Sequence, residues 1–326
     1  MTLTRRSTLA LGAAALGGLA APARLMAAPM AELNLWGPPA GPSAVLAHAA
    51  ASGALSGVAD TTTFQAWRNP DELRAGLTSK TITLSVVPVQ AATNLYNKGF
   101  PIKLVNVMTK GLLYVISEDA SLTSIDKLAG KSLVVPFRGD TPDIILERLL
   151  EDAGIKDQVT IHNVGTPVEA IQMMMTGRAE AALLPEPAIS AAIMKGKQAG
   201  KTLTRVMDIQ ALWGALNNAE PVVPQAGLAV TGPFLADHGN LVPAIHAALT
   251  KAAESALADP MSAAKNATEA LKLPPPVLAQ SIQHSQLGVW TASEMRPAIE
   301  RMLSTMAEVD PKKIGGKLPD DGFYLL

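Results

Sequence analysis

The sequence predicts an α/β protein with largely parallel sheets. Beyond residue 31, short runs rich in Val, Leu, Ile and Thr alternate with amphipathic stretches, and this alternation is typical of helices packed on parallel strands. Several runs end in a compact turn rich in Pro or Gly that leads into a helix. No repeat of fixed period, which would indicate a solenoid, is present.

The predicted strands are short, apolar and rich in β-branched residues. In chain order they are residues 33–36, 61–67, 82–87, 103–108, 112–116, 132–135, 160–164, 181–184 and 227–230. Two helices have clear starts, because Asn69–Glu72 and Thr166–Glu169 each place a capping side chain before a proline and a glutamate. Glycine favours the left-handed cap conformation. The second helix is therefore predicted to end at Gly177, and a helix that begins near Pro142 is predicted to end at Gly154.

Four predicted strands end in a compact turn. The turns are residues 37–43, 88–92, 136–142 and 185–187. In open parallel sheets, ligands bind in the crevice beyond the carboxyl ends of the strands, where helix N-termini also point. The four turns therefore predict one ligand-binding cleft. The alternative is that Pro and Gly only punctuate the connections between strands and helices.

The start of the chain has the pattern of a cleavable export signal. The pair Arg5 and Arg6 precedes an apolar stretch, residues 9–23, rich in Ala and Gly, and the next charge is Arg24. This stretch is shorter than the ~20 residues of a membrane-spanning helix, which disfavours the alternative of an N-terminal anchor. Candidate cleavage sites lie at Ala23, Ala28 and Ala31. We expect residues 1–30 to be a twin-arginine-like signal and the mature protein to lie in the periplasm.

Composition excludes several classes of site. The chain has no cysteine, which excludes disulfides, thiolate metal sites, a cysteine nucleophile and a lipid-bearing cysteine. Without residues 1–30 it keeps 24 basic and 28 acidic side chains, a net charge of −4. A surface of this charge disfavours nucleic acid as a partner.

Enzyme motifs are missing from the sequence. Residues 37–41 lack the glycine spacing of a dinucleotide-binding turn, and neither a phosphate loop nor a nucleophile elbow occurs. The five histidines, at positions 48, 162, 238, 246 and 284, lack the spacing of metal ligands. We expect that the protein has no catalytic residues, metal or cofactor, and that it is not an enzyme.

The segment from 124 to 187 carries a resemblance to a known family. It contains Leu128–Lys131 (LAGK), a strand that leads into Gly139–Pro142 (GDTP), and Ala181–Pro187 (AALLPEP). In this order the motifs resemble the periplasmic solute-binding family that includes nitrate, taurine and alkanesulfonate receptors and thiamine-precursor binders. The resemblance extends over nearly all of the mature chain, including the turn after the first strand and the C-terminal residues 315–324.

The resemblance implies a two-lobed periplasmic binding protein of type II, the Venus-flytrap fold. Lobe one would comprise residues 31–116 and 223–326, and lobe two residues 117–222. Two crossover strands would form the hinge, near Val115–Ser117 and Ala219–Pro224. The implied function is that of a monomeric binding protein that captures a small-molecule solute in the cleft and delivers it to the membrane permease of an ABC importer.

Lobe two is expected to contribute a turn before a helix and one carboxylate to the cleft: Arg138, Gly139, Asp140, Thr141 and Glu186. Free N–H groups at the helix start would attract an anionic or strongly dipolar group. Alternatively, Thr141 is only a helix cap and Arg138 is solvated. Glu186 could hold a cationic or hydroxyl group, or contact the transporter from the rim.

Lobe one is expected to offer two tryptophans and several turn residues: Trp36, Gly37, Pro38, Pro39, Ser43, Trp67, Gln90 and Thr93. The tryptophans could stack on a flat solute, and the alternative is that they belong to the core, Trp67 in particular. The predicted turns carry a single arginine and no histidine or lysine, which is sparse for an oxyanion site. Sulfonate-like, nitrate-like, vitamin-precursor, neutral and aromatic solutes therefore all stay open.

Two other functions are compatible with the same fold. One is a periplasmic sensor that presents its solute to a membrane kinase. The other is an enzyme of vitamin biosynthesis, which would be cytoplasmic and, in its pyrimidine-forming type, would use a histidine-rich site. The export signal and the scattered histidines disfavour the enzyme.

Overall fold

The computed structural model describes residues 29–326. The predicted export signal lies outside the described residues, apart from its last two positions. Among the helices of residues 29–326, none is both long enough and apolar enough to cross a bilayer.

The described chain alternates strands and helices. The strands are β1 (Met30–Gly37), β2 (Ala59–Ala66), β3 (Leu84–Pro88), β4 (Ile102–Leu104), β5 (Asn106–Thr109), β6 (Leu113–Ser117), β7 (Ser132–Pro136), β8 (Thr160–Val164), β9 (Ala181–Pro185), β10 (Thr204–Asp208), β11 (Ala226–Thr231) and β12 (Leu287–Thr291). The helices are α1 (Gly41–Ala51), α2 (Pro70–Ser79), α3 (Val89–Asn97), α4 (Thr141–Asp152), α5 (Pro167–Met175), α6 (Ala188–Gln198), α7 (Ile209–Leu216), α8 (Gly232–His238), α9 (Val242–Ala258), α10 (Pro260–Leu271), α11 (Pro275–His284) and α12 (Ala292–Val309).

Two five-stranded sheets share one strand order. The first sheet, on which lobe one is built, has the order β2-β1-β3-β11-β4, and the second, on which lobe two is built, has the order β8-β7-β9-β6-β10. In each sheet the fourth strand runs antiparallel to both of its neighbours, while the first three are parallel. The reversed strand is the one that enters from the other sheet, β11 in lobe one and β6 in lobe two. The chain therefore crosses between the sheets twice, as the predicted two-lobed fold requires.

The two crossings lie side by side. The first leaves β5, which pairs with β12, and reaches β6 through residues 110–112. The second precedes β11, and Val223 N donates to Lys110 O at 2.7 Å. The predicted first hinge was wrong in position, because Val115 and Ser117 lie inside β6 and pair with β9. The division of the chain at the predicted lobe boundaries stays a prediction.

The predicted helix ends follow the expected chemistry. Asn69 Oδ1 accepts from Glu72 N at 2.9 Å, and Thr166 Oγ1 accepts from Glu169 N at 3.2 Å. Each bond satisfies one of the free N–H groups at a helix start. Positive φ angles at Gly154 and Gly177 follow the ends of α4 and α5.

The cores of the two lobes are continuous on one side of the molecule. One apolar cluster includes Val87 of β3, Leu133 of β7, Ile145 of α4 and Met302 of α12. Helix α12, near the C-terminus, packs against α4 of lobe two. The same side carries an ion pair between the lobes, Arg148 to Glu308 at 3.2 Å.

Candidate functional site

The four predicted turns lie at two sheet edges. Strands β1 and β3 are parallel neighbours in the first sheet, and β7 and β9 are parallel neighbours in the second. Their carboxyl ends lead into α1, α3, α4 and α6, and the N-cap residue of each helix makes no side-chain hydrogen bond. In the first turn of α6, however, Ser190 N donates to Glu186 Oε2 at 3.3 Å. Helix N–H groups without a side-chain cap are available to a ligand or to water.

The C-terminal segment contacts both edges, and the space between the two edges is called the crevice below. The backbone oxygen of Lys313, in the C-terminal segment, accepts a hydrogen bond from Gln90 of α3 in lobe one. The side chain of the same lysine lies against Gly139 of lobe two. The turns before α3 and α4 are therefore close together in the folded protein.

On the lobe-one side, the end of β1 and the start of α1 each place one polar atom in the protein without a partner among the described residues. Trp36 is half-buried and its Nε1 has no hydrogen-bond partner among the described residues, and the same holds for Oγ of the fully buried Ser43. A side chain at Gly37 would collide with Ser43 Oγ, so glycine is needed for this close approach. Pro38 accepts from Ala40 N at 2.8 Å and shapes the turn, and Pro39 is exposed.

Three other predicted lobe-one residues are engaged within the lobe. Trp67 is buried, and its Nε1 donates to Ser85 Oγ at 3.2 Å. Thr93 is buried and its hydroxyl donates to Val89 O at 2.9 Å. Gln90 binds the C-terminal segment, as described above. Their participation in solute binding stays a prediction.

On the lobe-two side, the turn before α4 is internally bonded. Gly139 N donates to Asp143 Oδ2 at 2.7 Å, and Thr141 is the first helical residue rather than the cap. Arg138 is exposed. Desolvation raises the pKa of the Asp140 carboxyl, and the charges of Lys313 and Arg74 act in the opposite direction.

Glu186 is fully buried in lobe two. Its carboxylate is paired with Arg205, whose Nε donates at 3.0 Å, and accepts from Ser190 Oγ at 2.8 Å. Burial, followed by the charges of Asp208 and Glu186, raises the pKa of the adjacent Tyr114 to about 12. The interpretation of Glu186 as a rim contact for the transporter was wrong, because this carboxylate is enclosed and already bonded.

A comparison with protein families shows to which family the chain belongs. The model of the family described as NMT1/THI5 like matches residues 65–263. The chain belongs to the NMT1/THI5-like family. A comparison with curated proteins finds no match.

Solved structures confirm the fold of this NMT1/THI5-like protein. An ABC transporter protein from Parabacteroides distasonis is similar with a TM-score of 0.74 at 24% identity, covering 90% of this chain and 98% of that one. The periplasmic aliphatic sulphonate binding protein SsuA from Escherichia coli has a TM-score of 0.66 at 16% identity, covering 88% and 96%. The periplasmic nitrate-binding protein NrtA from Synechocystis PCC 6803 has a TM-score of 0.60 at 12% identity, covering 87% of each chain. The predicted two-lobed α/β fold is thereby confirmed.

Sequence reasoning missed two residues beside the crevice of the NMT1/THI5-like chain. Gln225, in the second crossing, accepts from Val89 N through its carbonyl, and its side-chain Oε1 is buried without a partner among residues 29–326. Lys313 lies against Gly139. The position of Gln225 next to the predicted hinge was a usable signal. No pattern in the sequence connects residue 313 with residue 139.

Two surface cavities lie away from the predicted site. One is between α1, β2 and α10, and the other is between α4 and α12. Neither includes a predicted site residue. Within residues 29–326, no group of three or more His, Asp or Glu side chains could hold a metal ion.

Proposed function

We propose that the protein is the solute-binding component of an ABC importer and captures a small organic or oxyanionic solute in the crevice between its lobes. The observation that carries this proposal is the arrangement of the four turns. Two sheets of equal order are joined by two adjacent crossings, and the helix starts of α1, α3 and α4 have no side-chain cap. The turns before α3 and α4 both contact Lys313. Ligands of open α/β sheets bind at such places.

Family and fold support the same proposal. The chain is NMT1/THI5-like over residues 65–263, and similar structures carry names that include an ABC transporter, a sulphonate-binding and a nitrate-binding protein. We propose that this chain also has a role in transport, that it is an exported monomer in the periplasm, and that its partner is a membrane permease. The leader pattern of residues 1–30 supports export.

The crevice favours an anionic or strongly dipolar solute that also has an apolar part. Helix starts without side-chain caps attract negative charge. Trp36 and Phe137, which are half-buried and exposed respectively, offer apolar surface at the ends of β1 and β7. We propose that the solute is bound and released unchanged, since the buried carboxylate of Glu186 is occupied by Arg205 and Ser190.

A thermal-shift screen tests this function. Protein without residues 1–30 is melted with sulfonates, nitrate, pyrimidines and aromatic acids. A solute at 100 times its dissociation constant adds ~2.7 kcal/mol of stability, which raises the Tm of a chain of this size by roughly 4 °C. Unchanged Tm values across all four classes, or chemical conversion of a bound compound, would contradict the proposal.

A matched pair of variants locates the site. Gln225→Met removes the unpartnered amide oxygen beside the crevice and should weaken binding of the solute that the screen identifies. Gln198→Met changes an exposed glutamine at the end of α6 and should leave binding unaltered. Equal affinities in both variants would place the solute away from Gln225.

A further inference from the structure

The turn before α4 in lobe two is held in one shape. Asp140 N donates to Phe137 O at 3.0 Å, and Asn163 Nδ2 donates to Asp143 Oδ1 at 3.0 Å. The other oxygen of Asp143 accepts from Gly139 N. Phe137 and Gly139 both have positive φ angles, 63° and 71°, a conformation that costs energy in a non-glycine residue and persists only where the surroundings impose it.

A C-terminal strap, residues 310–317, is attached to α3 of lobe one. The side chains of Gln90, Asn94 and Asn97, spaced four and three residues apart on one face of α3, donate to carbonyl oxygens of the strap. The distances include 2.7 Å for both Asn94 and Asn97. Lys313 O accepts from Gln90 and Asn94. The backbone of Lys313 is thereby held in place on lobe one.

The side chain of Lys313 crosses to lobe two. A Cβ atom at Gly139 would lie 3.2 Å from Lys313 Cε and closer still to Nζ, so the ammonium group packs on bare backbone. The N-terminus of a helix disfavours a cation, and α4 begins two residues later. The repulsion between the ammonium group and the helix N-terminus is offset by the nearby carboxylate of Asp140. The charges of Lys313 and Arg74 both act to lower the pKa of this carboxyl.

We propose that Lys313 is a positioning residue for solute binding, which holds the turn before α4 against lobe one and stabilises the closed arrangement of the crevice. The inference rests on the proposed function, because the crevice is taken as the solute site. A contact made only in the closed arrangement raises the fraction of binding-competent molecules, and apparent affinity scales with that fraction. Loss of a partly exposed charged contact should change the ratio of closed to open molecules about two- to fivefold.

Distances between the lobes test the proposal without a solute. The chain has no cysteine, so Ala75→Cys in α2 and Gln172→Cys in α5, both at exposed positions, give a unique pair of spin labels. In the solute-free protein, Lys313→Met should shift the electron-electron distance distribution towards the open arrangement. Lys312→Met removes an equal charge from an exposed neighbour on the same strap and should leave the distribution as in the unmodified chain.

Three further measurements use the same labels. Lys313→Arg should retain the closed population. Asp140→Asn should shift the distance distribution as Lys313→Met does, and the variant that combines both substitutions should show no further shift. In the unsubstituted protein, about 1 M salt should shift the population in the same direction, because salt screens the contact. Circular dichroism verifies that each variant is folded.

The outcomes separate this inference from the proposed function. Equal distance distributions in Lys313→Met, Lys312→Met and the unmodified protein, together with no effect of salt, would overturn the positioning role. A shift specific to Lys313→Met in a protein that binds none of the screened solutes would support the role of Lys313 in closure and count against the proposed function alone.

Discussion

Single buried polar residues near the crevice are of two kinds. Glu186 is fully buried, and its carboxylate is bonded to Arg205 and Ser190. Ser43 Oγ and Gln225 Oε1 are buried without a partner among the described residues. An unpaired buried polar group costs free energy. We therefore propose the two atoms of the second kind as hydrogen-bond partners of the solute or of water.

Glu186→Gln should destabilise the protein strongly. The substitution leaves the guanidinium of Arg205, whose side chain is only 13% exposed, without its counter-charge. We expect the free energy of unfolding to fall by about 2–4 kcal/mol, somewhat less than for a fully enclosed pair. Urea denaturation measures the change. The control is Glu308→Gln, which breaks the exposed pair with Arg148 and should have little effect. A loss below about 1 kcal/mol in Glu186→Gln would contradict the importance of this buried pair.

The residues beside the crevice were predictable only where they follow a strand. Gly37 and Gly139 could be proposed because each lies in a turn between a predicted strand and helix. Lys313 could not, since it reaches Gly139 only through the folding of the C-terminal strap onto α3. Trp67 illustrates the opposite case, because its indole is bonded to Ser85 inside lobe one, the alternative that the sequence left open.

At the scale of elements, apolar strands were easier to predict than the polar strand β10. β3, β7 and β9 are apolar runs, and all were predicted. β10 has the sequence TRVMD and lies at the edge of the second sheet, where polar residues weaken the apolar signal. The run 103–108 was predicted as one strand but forms β4 and β5, because the two halves pair with different strands, β11 and β12.

The C-terminal strap offers a prediction with a neighbouring control. Gly315 has a φ of 78°, and a Cβ there would lie 2.7 Å from Asn97 Cβ and 3.0 Å from Asn94 O. Gly316 has a φ of 97°, with open space around it. We expect Gly315→Ala to lower the free energy of unfolding by about 2–4 kcal/mol and Gly316→Ala by about 1 kcal/mol. Equal losses in urea denaturation would show that the strap does not pack tightly on α3.

At the scale of the whole molecule, three histidines, one buried and two half-buried, link stability to pH. Burial lowers the pKa of His48, His246 and His284 below the ordinary 6.5. The unfolded chain therefore binds more protons than the folded chain just below pH 6.5, and stability rises with pH in that window. The contribution of the three neutral histidines to the free energy of unfolding is complete above pH 6.5. It is lost as the pH falls from 6.5 through their lowered pKa values.

His48→Gln tests this dependence. A glutamine can still bond to Ser255 or Asn266, the present partners of His48, but does not titrate. We expect the difference in the free energy of unfolding between about pH 7 and pH 5.5 to be smaller in His48→Gln than in the unmodified protein. An unchanged difference, measured by urea denaturation at both pH values, would exclude His48 as a contributor.

The sequence by itself determined the α/β class, most strands, the capped helix starts and the four turns of the crevice, because these depend on local patterns of apolar residues, Pro and Gly. The family resemblance added two lobes with two crossings. Only the tertiary structure decided which turns face each other, that Glu186 is enclosed by Arg205, and that Gln225 and Lys313 lie at the crevice. These features depend on contacts between residues far apart in the chain, which local sequence patterns do not encode.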